Sequence, residues 1–459
     1  MYQGERVITE RRIIKRTKCL CPICLEVIGA EVFEEDNKIW LGKYCNKDGF
    51  FKTSHLLSNP LIYHTLNDLH RDKSGSPEGL LIYLTRKCNQ YCPYCFSNAN
   101  NTNDSSTEDP ALEMIIERVK SFYGDVIYLF GGEPTLREDL LEVIKKIKEE
   151  RFRVILFTNG KKLADLDYVS GLKKAGVDAI ILQFDSLNDQ DNIKIRGESL
   201  LELKLKAVSN LKACGIYLML YVNVVEGIND DKVKVLFDFA LQVNNVRILF
   251  FNPLWNIGRQ ASKTTLDAAG MLDKVCREIG VKEEYFSDCI KFSTSIFEIS
   301  RKLRFRKGIK EPPCSVSCYF IRYGNSYLTL DYILNLKKVN LYLQRIEQAI
   351  NISKSRIFNI VNLIPKKDLY LFLAAVIINQ RALRIILKNF LHNLRYPQHC
   401  KNIYYSFFNI LSVMVGQFPD KDSLDLSLTK TCNMHTSLEG GGSLPTCLYE
   451  IYREGNKIE

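Results

Sequence analysis

Between residues 80 and 253, short apolar runs alternate with stretches in which apolar residues recur every three or four positions. The runs "LLIYLT", "DVIYLF", "RVILFT", "AIILQFD", "IYLMLYVNVV" and "VRILFFNP" read as strands. Between them "ALEMIIERVKSFYG", "DLLEVIKKIKEE", "VSGLKKAG", "LLELKLKAVSNLKACG" and "DKVKVLFDFALQ" carry helical spacing. Strictly alternating strands and helices predict an α/β fold whose parallel sheet curls into a partial (β/α)6 barrel. Polar residues gather where each strand ends: a cysteine loop after the first, Gly131-Gly132-Glu133-Pro134 after the second, Thr158-Asn159-Gly160 after the third, Gln183 and Asp185 at the fourth. In parallel barrels that end of the sheet carries the chemistry.

The rhythm is absent on either side. Residues 1–69 predict a small metal hook with a β-hairpin turning at 35–37, and the polar stretch "HRDKSGSPEG" at 70–79 reads as a joint. The barrel is expected over 80–289. From about residue 290 the pattern turns to amphipathic segments such as "DYILNLKKVNLYLQRIEQAI", so 290–459 is expected to be mainly helical and to carry cysteines. Such segments serve helix packing, or line an apolar tunnel.

At 459 residues the chain is long enough for two or three domains. Its best apolar run, "LYLFLAAVII" at 369–378, is too short to span a bilayer and reads as a buried helix. The N-terminal "MYQGERVITERRIIKRTK" has no apolar region of a secretory signal, so a cytoplasmic protein is expected. The net charge of +10 comes from scattered Lys and Arg, which favours a basic surface able to touch an anionic membrane face over a nucleic-acid site.

Fifteen cysteines change the picture. In a reducing compartment grouped cysteines point to metal ligation rather than disulfides. Cys21-Pro-Ile-Cys24 is a C-x2-C knuckle to which the hairpin could return Cys45; Cys19 or Asp48 would complete four ligands, for Zn or for a mononuclear Fe. Cys214, Cys276, Cys289 and Cys400 stand alone and read as small buried hydrophobes.

In "TRKCNQYCPYCFSNAN" the cysteines follow C-x3-C-x2-C: Cys88, Cys92 and Cys95. Three thiolates on one loop hold three irons of a [4Fe–4S] cubane and leave the fourth open to a small molecule. The glycines of the Gly-Gly-Glu-Pro motif permit close backbone approach beside it.

The cysteine spacing, Tyr94 before the last cysteine and the Gly-Gly-Glu-Pro motif resemble the radical S-adenosylmethionine (SAM) superfamily. The resemblance makes the barrel a radical SAM barrel. It implies a [4Fe–4S] cluster on Cys88, Cys92 and Cys95, with SAM as co-substrate and a reducing electron donor as partner. It further implies that Gly131, Gly132 and Glu133 lie beside the methionine amine. Asn159, Gln183, Asp185 and Arg196 are expected at the ribose, adenine or carboxylate of SAM. The blocks "TKCLCPICLEVIGAEVFEEDNKIWLGKYC", "LQFDSLNDQDNIKIRG", "VVEGINDDKV" and "PTCLYEIYRE" are similar to archaeal tetraether lipid synthases, formerly described as pterin methyltransferases. That similarity implies C–C bond formation between isoprenoid lipid chains. The chain departs from that pattern in having Asp48 where the family has a histidine, and no cysteine between Cys45 and Cys88.

Late in the chain "KEPPCSVSCYF" and "TCNMHTSLEGGGSLPTC" supply Cys314, Cys318, Cys432 and Cys447, enough for one auxiliary cluster; His435 reads as a surface residue. Three functions stand: lipid C–C coupling, a radical SAM methyltransferase or peptide or small-molecule modifying enzyme, and a non-catalytic iron–sulfur protein. The amine-binding edge argues against the last.

Overall fold

Period-two alternation within each central strand explains how the sheet lies between two apolar environments. In β5 (Gly79–Thr85), Leu80, Ile82 and Leu84 pack into the main core while Leu81 faces the interior cavity. The same division holds in β6 (Val126–Gly131), β7 (Arg153–Thr158), β8 (Ala179–Gln183) and β9 (Tyr217–Val224), where Phe130, Phe157, Ile181 and Tyr221 point inward. Two buried faces per strand are what nearly continuous apolar runs dictate. With β10 (Val246–Pro253) they form six consecutive parallel strands.

The computed structural model describes residues 11–70, 76–101, 109–259, 266–302, 312–323, 326–352 and 409–455. The apolar run at 369–378 and Cys400 lie outside them. Among the described residues no helix is long and apolar enough to cross a membrane. The fold is α/β as the strand rhythm predicts, and helices are present in the C-terminal third, including Leu336–Ile352.

The C-terminal third also adds strands that periodicity did not show. β13 (Ile410–Gly416) lies parallel beside β10, β11 (Ser315–Tyr323) is antiparallel to β13, and β12 (Ser326–Thr329) follows at that edge. At the other edge β14 (Met434–Ser437) runs parallel to β5 and pairs with β15 (Ser443–Pro445). Among the described residues the result is an open sheet of 11 strands ordered β12-β11-β13-β10-β9-β8-β7-β6-β5-β14-β15. The expected boundary at 289/290 falls inside one continuous helix, Glu283–Lys302. Non-local pairing, not local pattern, recruits these strands.

The hook is an antiparallel sheet of β1 (Arg12–Leu20), β2 (Val27–Glu35), β3 (Lys38–Cys45) and β4 (Gly49–Ser54) in sequence order. Asp36 and Asn37 turn its hairpin with φ of 53° and 55°, as a two-residue turn requires. The hook rests on the C-terminal segment through buried Lys43, whose ammonium donates to the carbonyls of Leu20, Lys421 and Asp422 at 3.2, 3.1 and 2.8 Å.

Candidate active site at the barrel mouth and the hook metal centre

The cysteine loop leaves β5 at Thr85 and is pinned to the end of β6 before it turns. Gly132 N–H donates to Thr85 O at 2.8 Å and Glu133 N–H to Lys87 O at 2.9 Å. A Cβ on Gly131 would stand 2.2 Å from Thr85 O and one on Gly132 2.2 Å from Lys87 O, and Gly131 has φ +148°. Glycine is therefore demanded at both positions by the packing of strand end on loop. Asn100 closes the loop from its far end: Cys88 N–H donates to Asn100 Oδ1 and Asn100 Nδ2 to Cys88 O, both at 2.9 Å.

Arg259, which belongs to no motif along the chain, clamps the same loop. Its Nη1 donates to Cys92 O at 2.8 Å, its Nη2 donates to Ala99 O, its N–H donates to Cys95 O at 2.9 Å, and its guanidinium lies 3.7 Å from the Tyr91 ring centre. Gly258, with φ +93°, lets this segment approach, since a Cβ there would meet Cys95 O at 2.1 Å.

Cys88, Cys92 and Cys95 line a cavity of about 150 Å³ at the C-terminal ends of the strands. Gly131, Gly132, Asn159, Gln183 and Arg196 line it with them. Burial raises the thiols of Cys88 and Cys92, the first to about 12, and a bound cationic iron group reverses that bias by favouring thiolates. Three cysteines on one cavity wall with an adjacent glycine edge fit a three-thiolate iron–sulfur group with an open iron.

Two expected SAM contacts stand behind the wall instead. Glu133 is 1 % exposed and spends its oxygens on protein donors: Thr135 Oγ1 at 2.6 Å, Thr158 Oγ1 at 2.7 Å, and the N–H groups of Thr135 and Asn159 at 3.1 and 2.7 Å. It stitches the ends of β6 and β7 together rather than facing an ammonium. Burial raises its pKa against the effect of these donors. Asp185, fully buried, holds Arg196 and also accepts from Asn223 N–H at 2.9 Å. Burial opposes the charge of Arg196, but Asp185 outweighs it and keeps the guanidinium protonated. Arg196 reaches the cavity beside Cys92, and with its amide oxygen turned inward Gln183 accepts from Arg196 Nη1 at 2.6 Å. Asn159 donates from Nδ2 to Asn89 Oδ1 at 2.7 Å, tying β7 to the cysteine loop.

In the hook the ligand atoms of Cys21, Cys24, Cys45 and Asp48 all lie within 4.8 Å of one another. Cys21 Sγ is 3.0 Å and Cys45 Sγ 3.3 Å from Asp48 Oδ2, and Cys24 Sγ is 3.8 Å from Cys45 Sγ. Cys19, the other candidate for the fourth position, is outside this group. Its side chain packs with Ala30, Val32, Ile39 and Leu41, because alternation along β1 turns it to the sheet's inner face. Three thiolates and a carboxylate suit one tetrahedral ion.

The four late cysteines separate. Burial raises the thiol of Cys447, and the charges of Cys432 and Cys314 add to the rise. Cys318 on β11 is fully buried in the main core with Tyr285 and Cys289, and Cys314, just before the strand, packs partly buried against the same core. The auxiliary quartet is thus reduced to three. Cys276 and Cys289 belong to the core as expected, and Cys214 is partly buried against it. His435 is half-buried on β14, with Nδ1 3.1 Å from Ser443 Oγ.

Comparison with known proteins bears on both centres. Residues 82–240 match the Radical SAM superfamily and residues 13–54 match the HMPTM N-terminal zinc ribbon domain. A 7,8-dihydro-6-hydroxymethylpterin dimethyltransferase of Methanocaldococcus jannaschii is 34% identical over 283 residues, covering 55% of this chain and 56% of that protein. A "Probable GTP 3',8-cyclase" of Pyrococcus abyssi is 32% identical over 177 residues, covering 38% of this chain and 57% of that one. The crystal structure of Streptococcus suis SuiB bound to S-adenosylmethionine aligns with a TM-score of 0.39 and 14% identity over 54% of this chain and 69% of that one. The chain spans a little over half the length of the curated relatives it matches.

Proposed function

We propose that this radical SAM enzyme, whose radical SAM domain covers residues 82–240, abstracts hydrogen from unactivated C–H groups of isoprenoid lipid chains and joins them by C–C bonds. The observation that carries the lipid reading is the aromatic lining of the cavity that the three cysteines share. Phe96, Phe130, Phe157, Tyr221, Trp255 and Phe418 contribute rings to it. Phe96 stacks on Trp255 with ring centres 4.4 Å apart, and Trp255 meets Phe418 at 4.4 Å. Such a wall favours an apolar chain, which buries surface there without stranding polar groups.

When bound, a [4Fe–4S] group on Cys88, Cys92 and Cys95 together with SAM supplies a 5′-deoxyadenosyl radical. The chain's own residues bind, orient and exclude water. Arg196, held charged by Asp185, offers a buried cation to the SAM carboxylate, and Asn159 and Gln183 offer amides to the nucleoside. The backbone edge at Gly131 and Gly132, which lines the cavity, would receive the methionine amine. Glu133 and Asp185 act as positioning residues. Cys314, Cys432 and Cys447 would hold an auxiliary iron–sulfur group, and the hook one Zn or Fe ion. The basic net charge of +10 supports peripheral contact with an anionic membrane.

The test is anaerobic reconstitution, reduction and incubation with SAM and an isoprenoid diether lipid. Expected are 5′-deoxyadenosine and a product lighter by two hydrogens for each bond formed, both lost when all three loop cysteines are changed to Ala. Asn159, Gln183 and Asn223 give the same cavity a polar edge, which favours a second reading: methyl transfer to a heterocycle, the reaction class in the name of the Methanocaldococcus jannaschii relative. Nucleoside formation with methyl label passing from SAM to a pterin, and no coupled lipid, would replace the first reading by the second.

A further inference from the structure

The four-stranded sheet of the hook packs one face against the rest of the protein and turns the other away. On the inner face Ala30, Val32 and Leu41 pack with Tyr63, and Lys43 reaches the carbonyls of Lys421 and Asp422. Strand register gathers the alternate side chains on the outer face. One row across the sheet runs from Ile13 through Phe33 to Trp40, and the next joins Arg16, Glu31, Gly42 and Lys52. Beyond it Lys18 stands opposite Gly29, and Tyr44 opposite Phe50. A Cβ on Gly42 would lie 3.1 Å from the Phe33 ring and 3.7 Å from both Arg11 and Phe50, so these side chains share that face. Its composition is aromatic and cationic at once. Tyr44 and Phe50 are 61 % and 60 % exposed, and Ile13 is exposed with them. The Arg11 guanidinium sits 4.0 Å from the Phe33 ring centre and the Lys52 ammonium 4.4 Å from that of Trp40. Arg11, Arg16, Lys18 and Lys52 set four cations against the two carboxylates of Glu31 and Glu35, which pair with three of them.

We infer that the outer face of the hook is the surface by which the protein rests on an anionic lipid bilayer. Tyr44, Phe50 and Ile13 enter the headgroup region, and Arg11, Arg16, Lys18 and Lys52 meet the lipid phosphates. The inference rests on the lipid reading, whose substrate is drawn from such a bilayer, and it gives the hook a task apart from holding its metal. Single exposed apolar side chains are ordinary on a protein surface. Here three of them share one face of one small sheet with an excess of positive charge. Rings bury apolar area at the boundary of headgroup and acyl chain, where Tyr and Trp settle, and cations beside them are drawn to anionic lipid. A second copy of the chain fits this face poorly, because a two-fold contact of the face with itself sets cation against cation.

The experiment is co-sedimentation of the full chain with vesicles of mixed phosphatidylglycerol and phosphatidylcholine, against vesicles of phosphatidylcholine alone. The unaltered protein should bind the anionic vesicles, and binding should weaken as salt is added. The double variants R16E/K18E and Y44S/F50S should each weaken it by about tenfold or more, with the metal content of the hook unchanged. A second readout locates the contact. Trp40 and Trp255 are the two tryptophans of the chain, so Trp255→Phe leaves Trp40 as the one reporter. Its fluorescence should be quenched by vesicles of brominated lipid. Equal binding to both kinds of vesicle, unaltered binding in both double variants, or vesicle binding without quenching of Trp40 would each overturn the inference. So would a dimer of the unaltered protein that the same substitutions dissociate, since the face would then belong to a second copy. Vesicle binding through this face without any coupled lipid would support the inference and count against the proposed function alone.

Discussion

Asp185 binds Arg196 through two hydrogen bonds, 2.7 Å from Nε to Oδ2 and 2.8 Å from Nη2 to Oδ1, with both side chains buried. Sequence position made the two residues parallel candidates for the same ligand. The geometry makes one the support of the other: Asp185 faces Arg196, and Arg196 faces the cavity beside Cys92.

Removing that support should therefore cost both stability and cofactor affinity. Asp185→Asn leaves a buried guanidinium without its counter-charge, a change that typically destabilises by about 3–5 kcal/mol. Burial would raise the pKa of Asp185, but Arg196 overrides it and the pKa is lowered. Its contribution is thus full above the ordinary carboxylate range and is lost as the pH falls through the lowered value. Urea unfolding at pH 7 should show the destabilisation, and the difference between parent and variant should shrink only in strong acid. Isothermal titration should show weaker SAM binding.

Lys204 gives a second pH dependence of the same sign at the alkaline end, arising from burial rather than from pairing. Its ammonium is buried, donates to Gln183 O at 2.6 Å, and has its pKa lowered to about 8, chiefly by burial. Between that value and the ordinary lysine value the unfolded chain binds the extra proton, so this group makes stability rise with pH from about 8 toward 10. Lys204→Met should abolish that rise. Thermal melts of parent and variant across this range, compared as a difference, isolate it from the other titrating groups.

At the second strand end, Gly132→Ala places a methyl group where Lys87 O already stands. Overpacking of this kind costs about 1–3 kcal/mol, and here the yielding element is the cysteine loop. Iron and sulfide content after reconstitution should fall together with the melting temperature. Ala at Gly440, where nothing lies within 4 Å of the added carbon, should leave both unchanged.

In the hook, Asp48→Ala should weaken metal binding by at least the roughly 10- to 100-fold that loss of an outer-shell partner costs, while Cys19→Ala should keep full metal content. Cobalt substitution offers a direct check. Its thiolate charge-transfer absorption should indicate three sulfurs in the parent protein and be unaltered in Cys19→Ala. A drop of one sulfur in that variant would restore Cys19 as a ligand.

Much of the candidate site's end of the sheet was legible along the chain because it rests on local order. The apolar runs ending in Cys88-x3-Cys92-x2-Cys95, Gly131-Gly132, Asn159 and Gln183 mark four of the six central strands, whose polar ends must share one rim, since parallel strands joined by helices all point the same way. The knuckle and hairpin of the hook were legible for the same reason. What the sequence left open depended on residues far apart in the chain. Whether Cys19 or Asp48 completes the hook turns on which face of β1 looks inward. Glu133 and Asp185 carry the composition of ligand residues, and only the positions of Thr158, Asn159 and Arg196 turn them into supports. Cys314 and Cys318 look like a pair, yet β11 starts only at Ser315, and its pairing with β13 buries Cys318 fully in the helix-packed core while Cys314, before the strand, packs only partly against it. Arg259 carries no motif at all; it becomes part of the site because the end of β10 folds back over the cysteine loop. Spacing determines which groups one loop can offer. Strand pairing and the packing of distant segments decide which of them meet, because those contacts depend on closure of the whole sheet rather than on any local stretch.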